Sequence, residues 1–498
     1  MARSVSERHL SQLSAFVAAR IGLHFPRERW RDLERGVNSA ARELDFGDSE
    51  SYIEWLVSSS LTRSQIEGLA SHLTVGETYF FRDRRVFQVL EKLVLPKLIH
   101  SRRRESGKHL RIWSAGCATG EEPYSIAILL SKMVLDRRDW NITIQATDIN
   151  PRFLHKAADG LYGNWSFRDM PPGIKEKFFK PAGDGRFEIL PQIKNMVTFA
   201  YLNLAEDSYP SLFNNTNAMD VIFCRNVLMY FAPERTKKVV HNLHRSLVDG
   251  GWLVASPGEA SHVLFSQFAT LDSPGTILYR KEKQPCPATS GFSCKPFEEA
   301  PGSFTSAVAF APNSHVGTTA TNHEYTTKPD PRELPQDLYR EASALYEGGC
   351  YAEAVEKAAS LLAQNPTNTG GMTLLARVYA NLGKLDEALE WCERAIAAEK
   401  LNAGTHYLMA TILQELDRTE VAMLSLKRAL YIDPNLVLAH VALGNLSRQC
   451  GKHKESVKHF ENALSLLTAK RPEDVVPESE GMRAGRLIEI IRSTASET

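Results

Sequence analysis

The sequence predicts an α/β domain with a doubly wound sheet, an all-helical segment in front of it and an all-α repeat array behind it. Three observations predict this. Strand-like and helix-like patterns alternate from Leu110 to about residue 282. Residues 283–332 are rich in Pro, Ser, Thr, Gly and Ala, a composition that buries too little apolar surface to fold and reads as a flexible linker. From residue 335 to about 470, small residues recur with a 34-residue period on helical patterns.

The length of 498 residues suits two or three domains rather than one. Lys plus Arg and Asp plus Glu both count 59, so no global charge draws the chain to nucleic acid or to a membrane surface. Seven cysteines at 117, 224, 286, 294, 350, 392 and 450 form an odd, unpatterned set, which argues against a disulfide framework. The absence of a CxxC pair argues against zinc, and no metal is expected. The N-terminus "MARSVSERHLSQLSAFVAARIGL" lacks the apolar core of a signal peptide, and the apolar runs are too short to span a bilayer. A cytoplasmic protein is the expectation.

Residues 1–75 read as helical throughout. In "RERWRDLERGVNSAARELDF", Arg27, Arg31 and Arg35 fall at helical spacing on one face, with Leu33, Val37, Ala40 and Leu44 as the opposing apolar stripe. Such a basic face is either simply solvated or suited to an acidic partner. "LRIWSAG" is a strand ending in glycine, and "EEPYSIAILLSKMVL" is a helix with Pro123 near its start. "WNITIQATDIN" and "PRFLHKAAD" repeat the strand–helix pair. "MVTFAYLNL" and "MDVIFCRNVLMYF" read as further strands, and "PERTKKVVHNLHRSLVDGGWLVAS" as a helix, a DGG turn and another strand.

The repeats are tested by registering four windows that begin at Pro335, Thr369, Ala403 and Val437. The eighth position holds Ala342, Ala376, Ala410 and Gly444; the twentieth holds Ala354, Ala388, Ala422 and Ser456. The twenty-seventh holds Leu361, Ala395, Ala429 and Ala463, and Pro366 and Pro434 stop second helices. Small residues at these positions let two antiparallel helices approach, and the array resembles tetratricopeptide (TPR) repeats. The tail 471–498 contains "GMRAGRLIEIIRS", a candidate capping helix.

Ligands of doubly wound sheets sit beyond the carboxyl ends of the strands, so the strand ends carry the chemistry. After the first comes Gly116-Cys117-Ala118-Thr119-Gly120, then Glu121 and Glu122. This loop lacks both the dinucleotide glycine spacing and the lysine of a P-loop, so nucleoside triphosphate hydrolysis is not expected. Asp148 ends the second strand, 32 positions beyond Gly116, where an acid accepts ribose hydroxyls. Asn203 and Leu204 follow the third, an amide and an apolar side chain suited to an adenine edge and face. Acids without a phosphate-binding lysine favour a nucleoside that carries positive charge and no phosphate, and S-adenosylmethionine fits. Ahead of the sheet, "LTVGETYFFRD" offers Thr78 and Arg82, the latter able to pair with a carboxylate.

In this order "GETYFFRD", "WSAGCATGEEPYSIA", "ATDIN", "LNL" and "CRNVLMYF" resemble the CheR-type chemoreceptor glutamate O-methyltransferases, over residues 1–282. The appended repeats resemble a subgroup in chemosensory-like pathways. The resemblance implies a Rossmann-like methyltransferase domain over 76–282 with a small antiparallel β-subdomain at about 160–196, behind a helical receptor-recognition domain over 1–75. It implies S-adenosylmethionine as cofactor, S-adenosylhomocysteine as product and a methyl-accepting chemoreceptor as partner. It implies cofactor contacts from Thr78, Arg82, Glu122, Asp148, Asn203, Leu204, Arg225 and Asn226. Arg82 and Tyr230 are the implied catalytic pair, orienting the acceptor carboxylate and the methyl donor. Many members carry asparagine where Gly76 stands, so that contact is lost or replaced. Arg35 and Arg42 align loosely with receptor-facing arginines. The hairpin "KPAGDGRFEI" is short, so independence from a receptor pentapeptide tether is expected. Cys117 and Cys224 read as small apolar fillers beside the site. The repeats are expected to present a groove to a protein segment, in a chain expected to be monomeric. The alternatives are an inactive repeat scaffold, or a methyltransferase for another substrate.

Overall fold

The computed structural model describes residues 5–104, 108–212, 214–273, 276–282, 335–479 and 482–495. The expected linker lies outside the described residues.

Four main helices, Glu7–Arg20, Trp30–Glu43, Ser49–Ser58 and Arg63–Leu73, make the N-terminal bundle. Their starts are set by side chains: Ser6 accepts from the His9 amide, Asp48 from that of Ser51, and Thr62 with Gln65 forms a capping box. Leu33, Val37 and Ala40 are buried with Leu13, Val17, Tyr52 and Ile53. Two details differ from the sequence reading. Arg27 lies in a separate 3₁₀ turn before the helix, and Leu44 caps the helix with 51% of its surface exposed. The left-handed Asp45 follows it and ends the helix.

Ten strands follow: β1 (His109–Ala115), β2 (Asn141–Asp148), β3 (Leu161–Gly163), β4 (Phe179–Pro181), β5 (Arg186–Ile189), β6 (Val197–Tyr201), β7 (Met219–Phe223), β8 (Leu247–Val254), β9 (Ala269–Ser273) and β10 (Thr276–Arg280). The main sheet has the order β6-β2-β1-β7-β8-β10-β9. Its first five strands are parallel, and β10 runs antiparallel to both β8 and β9. The order reverses between β1 and β7, which opens a crevice at their carboxyl ends. The reading from sequence stops short of β9 and β10. It also places DGG as a turn between a helix and a strand, whereas Asp249-Gly250-Gly251 lies inside β8 opposite a register shift between Met219 and Val221.

The insertion after the helix Pro151–Asp159 forms the three-stranded antiparallel sheet β3-β5-β4. Phe80 fixes it to the body, with its ring 5.2 Å from Phe167, 4.9 Å from Phe179 and 4.8 Å from Tyr162. Phe80 of "GETYFFRD" is therefore a structural anchor for the loop that carries Arg82.

The first helices of the repeats are Pro335–Glu347, Thr369–Asn381, Ala403–Glu415 and Val437–Gln449, each starting at its window's first residue. The second helices start at Tyr351, Leu385, Thr419 and His453, again 34 residues apart. Gly349, Gly383, Asp417 and Gly451 take left-handed conformations in the turns between them. The helix Ala484–Ala495 buries Leu487 and Ile491 in the same core. Before it, Glu478 returns to pair with Arg377 of the second window.

The turns of the repeats meet the amino-terminal edge of the main sheet. Arg111 of β1 pairs with Glu415, and Asn141 Nδ2 at the start of β2 donates to the Glu415 carbonyl at 2.6 Å. Asn217 Nδ2 donates to the Ala380 carbonyl at 3.4 Å, and Leu212 joins the repeat core. The repeats thus pack on the sheet edge opposite the crevice.

Candidate active site

The loop after β1 is shaped by backbone geometry. Gly116 (φ 80°), Ala118 (φ 46°) and Gly120 (φ 92°) are all left-handed, and the Gly116 and Cys117 amides both donate to the Thr147 carbonyl. A Cβ on Gly116 would stand 2.4 Å from Val227 Cγ2, so only glycine admits the loop after β7 this close. The folded-back loop points the Ala118 amide at Asp148 Oδ2 (2.9 Å), while Oδ1 accepts from the Asn150 amide at 2.8 Å. Burial raises the Asp148 carboxyl to about 6, against the pull of those amides.

Above Asp148 opens a cleft of about 650 Å³, its mouth included. Asp148, Asn203, Leu204, Asn226 and Tyr230 line it together, as five of the residues expected from sequence. Asn203 is oriented by donating to the Ile21 carbonyl (3.1 Å) and accepting from the Ala205 amide (3.0 Å). Asn226 is left-handed (φ 59°), with its amide held by Glu259 Oε2 at 2.8 Å. The Tyr230 carbonyl accepts from the His24 amide at 2.7 Å, and the Arg29 guanidinium lies 5.2 Å from its ring centre. The helical bundle thereby supplies one wall, through Leu23, Leu73, Thr74 and Val75.

Thr78, Arg82, Glu122 and Arg225 do not line this cleft; three of them belong to an adjoining polar layer. Arg225 is almost fully buried and bridges Glu122 Oε2 (3.2 Å) and Asp83 Oδ2 (3.5 Å), while its Nε has no protein acceptor among the described residues. Ser114 Oγ holds the other Glu122 oxygen at 2.8 Å. Arg82, next to Asp83, donates to the Glu77 carbonyl at 3.0 Å. Thr78 is half-buried in the same loop. The neighbouring acid Glu121 serves the fold: it accepts from Thr119 Oγ1 at 2.6 Å and Ser166 Oγ at 3.0 Å, tying the loop to the β-subdomain, and burial raises its carboxyl. Cys117 and Cys224 are buried, and burial pushes both thiols well up, as fits apolar fillers.

Sequence reasoning missed the apolar lining and the supports. Phe153 lines the cleft and explains Gly76, because a Cβ there would stand 2.6 Å from Phe153 Cζ. Glu259 closes a capping box with Ser256 in "SPGE", a signal that was legible as an acid after a strand end. Among the described residues, no cluster of His, Cys, Asp and Glu could hold a metal, and no helix is long and apolar enough to cross a membrane.

The residues present fit S-adenosylmethionine. Among the described residues Asp148 is the one charged side chain lining the cleft, so a ribose has an acceptor and a phosphate has no counterion in that lining.

Comparison with known proteins agrees. Residues 76–274 match the family described as CheR methyltransferase, SAM binding domain. Residues 345–412, 403–436 and 439–475 match tetratricopeptide repeat families. A chemotaxis protein methyltransferase of Borreliella burgdorferi is 30% identical over 257 residues, covering 51% of this chain and 89% of that one. Chemotaxis protein methyltransferase 1 of Pseudomonas aeruginosa is 35% identical over 218 residues, 43% of this chain and 77% of that one. A protein of the same organism named "Probable biofilm formation methyltransferase WspC" is 28% identical over 427 residues, covering 85% of this chain and 91% of that one. With the sheet order, the cleft and these relatives in agreement, the chain belongs to the CheR family of S-adenosylmethionine-dependent methyltransferases and carries a C-terminal array of tetratricopeptide repeats.

Proposed function

We propose that the protein transfers a methyl group from S-adenosylmethionine to glutamate side chains of a methyl-accepting chemoreceptor, in a chemosensory-type pathway. The observation that carries this reading is the cleft's lining: one carboxylate, two amides, a phenol, the hydroxyl of Thr74 and apolar walls, with no cation among the described lining residues. Asp148 would accept the ribose hydroxyls, Asn203 and Leu204 would bound the adenine, and Asn226 in the cleft, with Thr78, Glu122 and Arg225 from beside its lining, would hold the methionine end. Bound there, S-adenosylmethionine would supply an electrophilic methyl whose bond to sulfur would break as an acceptor carboxylate oxygen bonds to the carbon, giving a methyl ester and S-adenosylhomocysteine. An ionised acceptor needs no strong base, so orientation by Arg82 and Tyr230 accounts for most of the catalysis.

The short turn Ala182–Gly185 between β4 and β5 supports methylation without a receptor pentapeptide tether. The repeats serve protein–protein contact. The test is transfer of labelled methyl from S-adenosylmethionine to co-encoded receptors. Base-labile label on receptor supports an ester. Label on no receptor favours the scaffold reading, and micromolar binding of a receptor pentapeptide removes tether independence.

A further inference from the structure

The loop after β7 brings Asn226, Val227 and Tyr230 to the cleft together. Its backbone therefore has to be held, because a misplacement of about 1 Å at a reacting group costs rate. On one side it is pressed by the loop after β1, through the close approach of Val227 to Gly116. Elsewhere it is open to solvent: Met229, in the 3₁₀ turn Leu228–Tyr230, is 60% exposed, so packing does not fix it there.

A carboxylate holds it instead. Glu259 Oε2 accepts from the Asn226 amide at 2.8 Å, and Oε1 accepts from the Met229 amide at 3.3 Å. The same Oε2 takes the Ser256 amide at 3.3 Å and the Ser256 hydroxyl. Four donors from two strand-end loops thus converge on two oxygens, and a carboxylate has acceptor sites for all of them. The two β7-loop amides bracket the bend. Asn226 is left-handed (φ 59°), a conformation that a non-glycine residue keeps only where its surroundings enforce it. Met229 lies in the turn that places Tyr230.

The capping box does not account for this arrangement. Capping the turn Pro257–Glu259 needs only the exchange with Ser256. The other two bonds reach 33 and 30 residues back along the chain, to a different strand end. Glu259 is half-buried between exposed Gly258 and exposed Ala260, so it contributes little to the core. It does not line the cleft. We propose that Glu259 is a positioning residue of the methyl-transfer site: by holding the Asn226 and Met229 amides it keeps the bend at Asn226, and so sets Asn226 and Tyr230 in the cleft. This rests on the methyl-transfer reading above and adds the group that shapes its loop.

The test uses the full chain. Calorimetry follows S-adenosylhomocysteine binding, and labelled methyl transfer to the cytoplasmic part of a co-encoded receptor gives kcat at saturating S-adenosylmethionine. Glu259→Ala weakens binding about tenfold and lowers kcat about tenfold. Glu259→Gln keeps the length and one acceptor oxygen but turns a donor toward the remaining amide, and loses about threefold in each. Ser256→Ala removes the capping hydroxyl and leaves both β7-loop amides bonded. It lowers the melting temperature while binding and kcat stay unchanged. Should Glu259→Ala not fold, the isosteric Glu259→Gln carries the comparison. Wild-type binding and kcat in the Glu259 variants overturn the proposal. So does an equal loss in Ser256→Ala, which would trace the effect to the stability of the turn. If the wild-type chain labels no receptor, the methyl-acceptor reading fails, and the calorimetric comparison still decides whether Glu259 holds the cofactor loop.

Discussion

Arg111 of β1 and Glu415 of the third repeat window form an ion pair with about a tenth of each side chain exposed, joining the catalytic sheet to the repeats. Burial lowers Arg111 to about 10, against the opposing influence of Asp220. The Arg111 side chain also reaches the Asn217 carbonyl at 3.3 Å. The repeats are therefore a packed neighbour of the sheet.

Glu415→Ala leaves a buried guanidinium short of its counterion, with Asn215 and Asn217 still bonded to it. The expected loss is about 2–3 kcal/mol, below the usual cost of breaking a buried pair because those bonds remain. Calorimetry should show the repeats unfolding ahead of the catalytic domain, where the wild-type transitions overlap. An unchanged profile would show that the pair contributes nothing to the docking.

Asp148 carries opposite pH signs for stability and for binding. Its folded value of about 6 lies above the usual 3.8, so its contribution to apo stability is fully present below pH 4 and lost as pH rises through 6. Ribose hydroxyls need the ionised form, so S-adenosylmethionine affinity falls as pH drops below about 6. Asp148→Asn should bind the cofactor at least tenfold more weakly by calorimetry and flatten that pH dependence. Unaltered cofactor affinity would take Asp148 out of the site.

Gly76 and Phe153 share one volume. Gly76→Asn forces the Phe153 ring to move and should cost roughly 1–3 kcal/mol of stability, with weaker cofactor binding. Adding Phe153→Val frees the space and should recover most of the loss. Equal melting temperatures for Gly76→Asn and wild type would contradict the contact.

Arg82→Ala should lower kcat/KM for methyl transfer roughly 10²-fold, with Arg82→Lys recovering part of it. Wild-type cofactor affinity together with a full methylation rate in Arg82→Ala would remove its catalytic role.

Much of this protein is local, and local features were legible. The four first helices start at the residues that the 34-residue register picked, because small side chains at fixed positions are the condition for two helices to pack. Asp148, Asn203 and Leu204 were singled out because strand ends carry ligands in doubly wound sheets, and the structure puts all three on one cleft. By itself the sequence determined the α/β and repeat classes, the strand-end chemistry and the likeness to a methyltransferase family. The tertiary structure alone decided which acid does what. Glu121 and Glu122 are adjacent in sequence, yet one bonds Thr119 and Ser166 while the other faces Arg225. It also decided that Phe153 fills the space at Gly76 and that repeat turns cover the sheet's far edge. Each depends on residues tens to hundreds of positions apart. Periodicity and motif spacing report the chain's own geometry over a few turns, and neither encodes which distant surfaces meet.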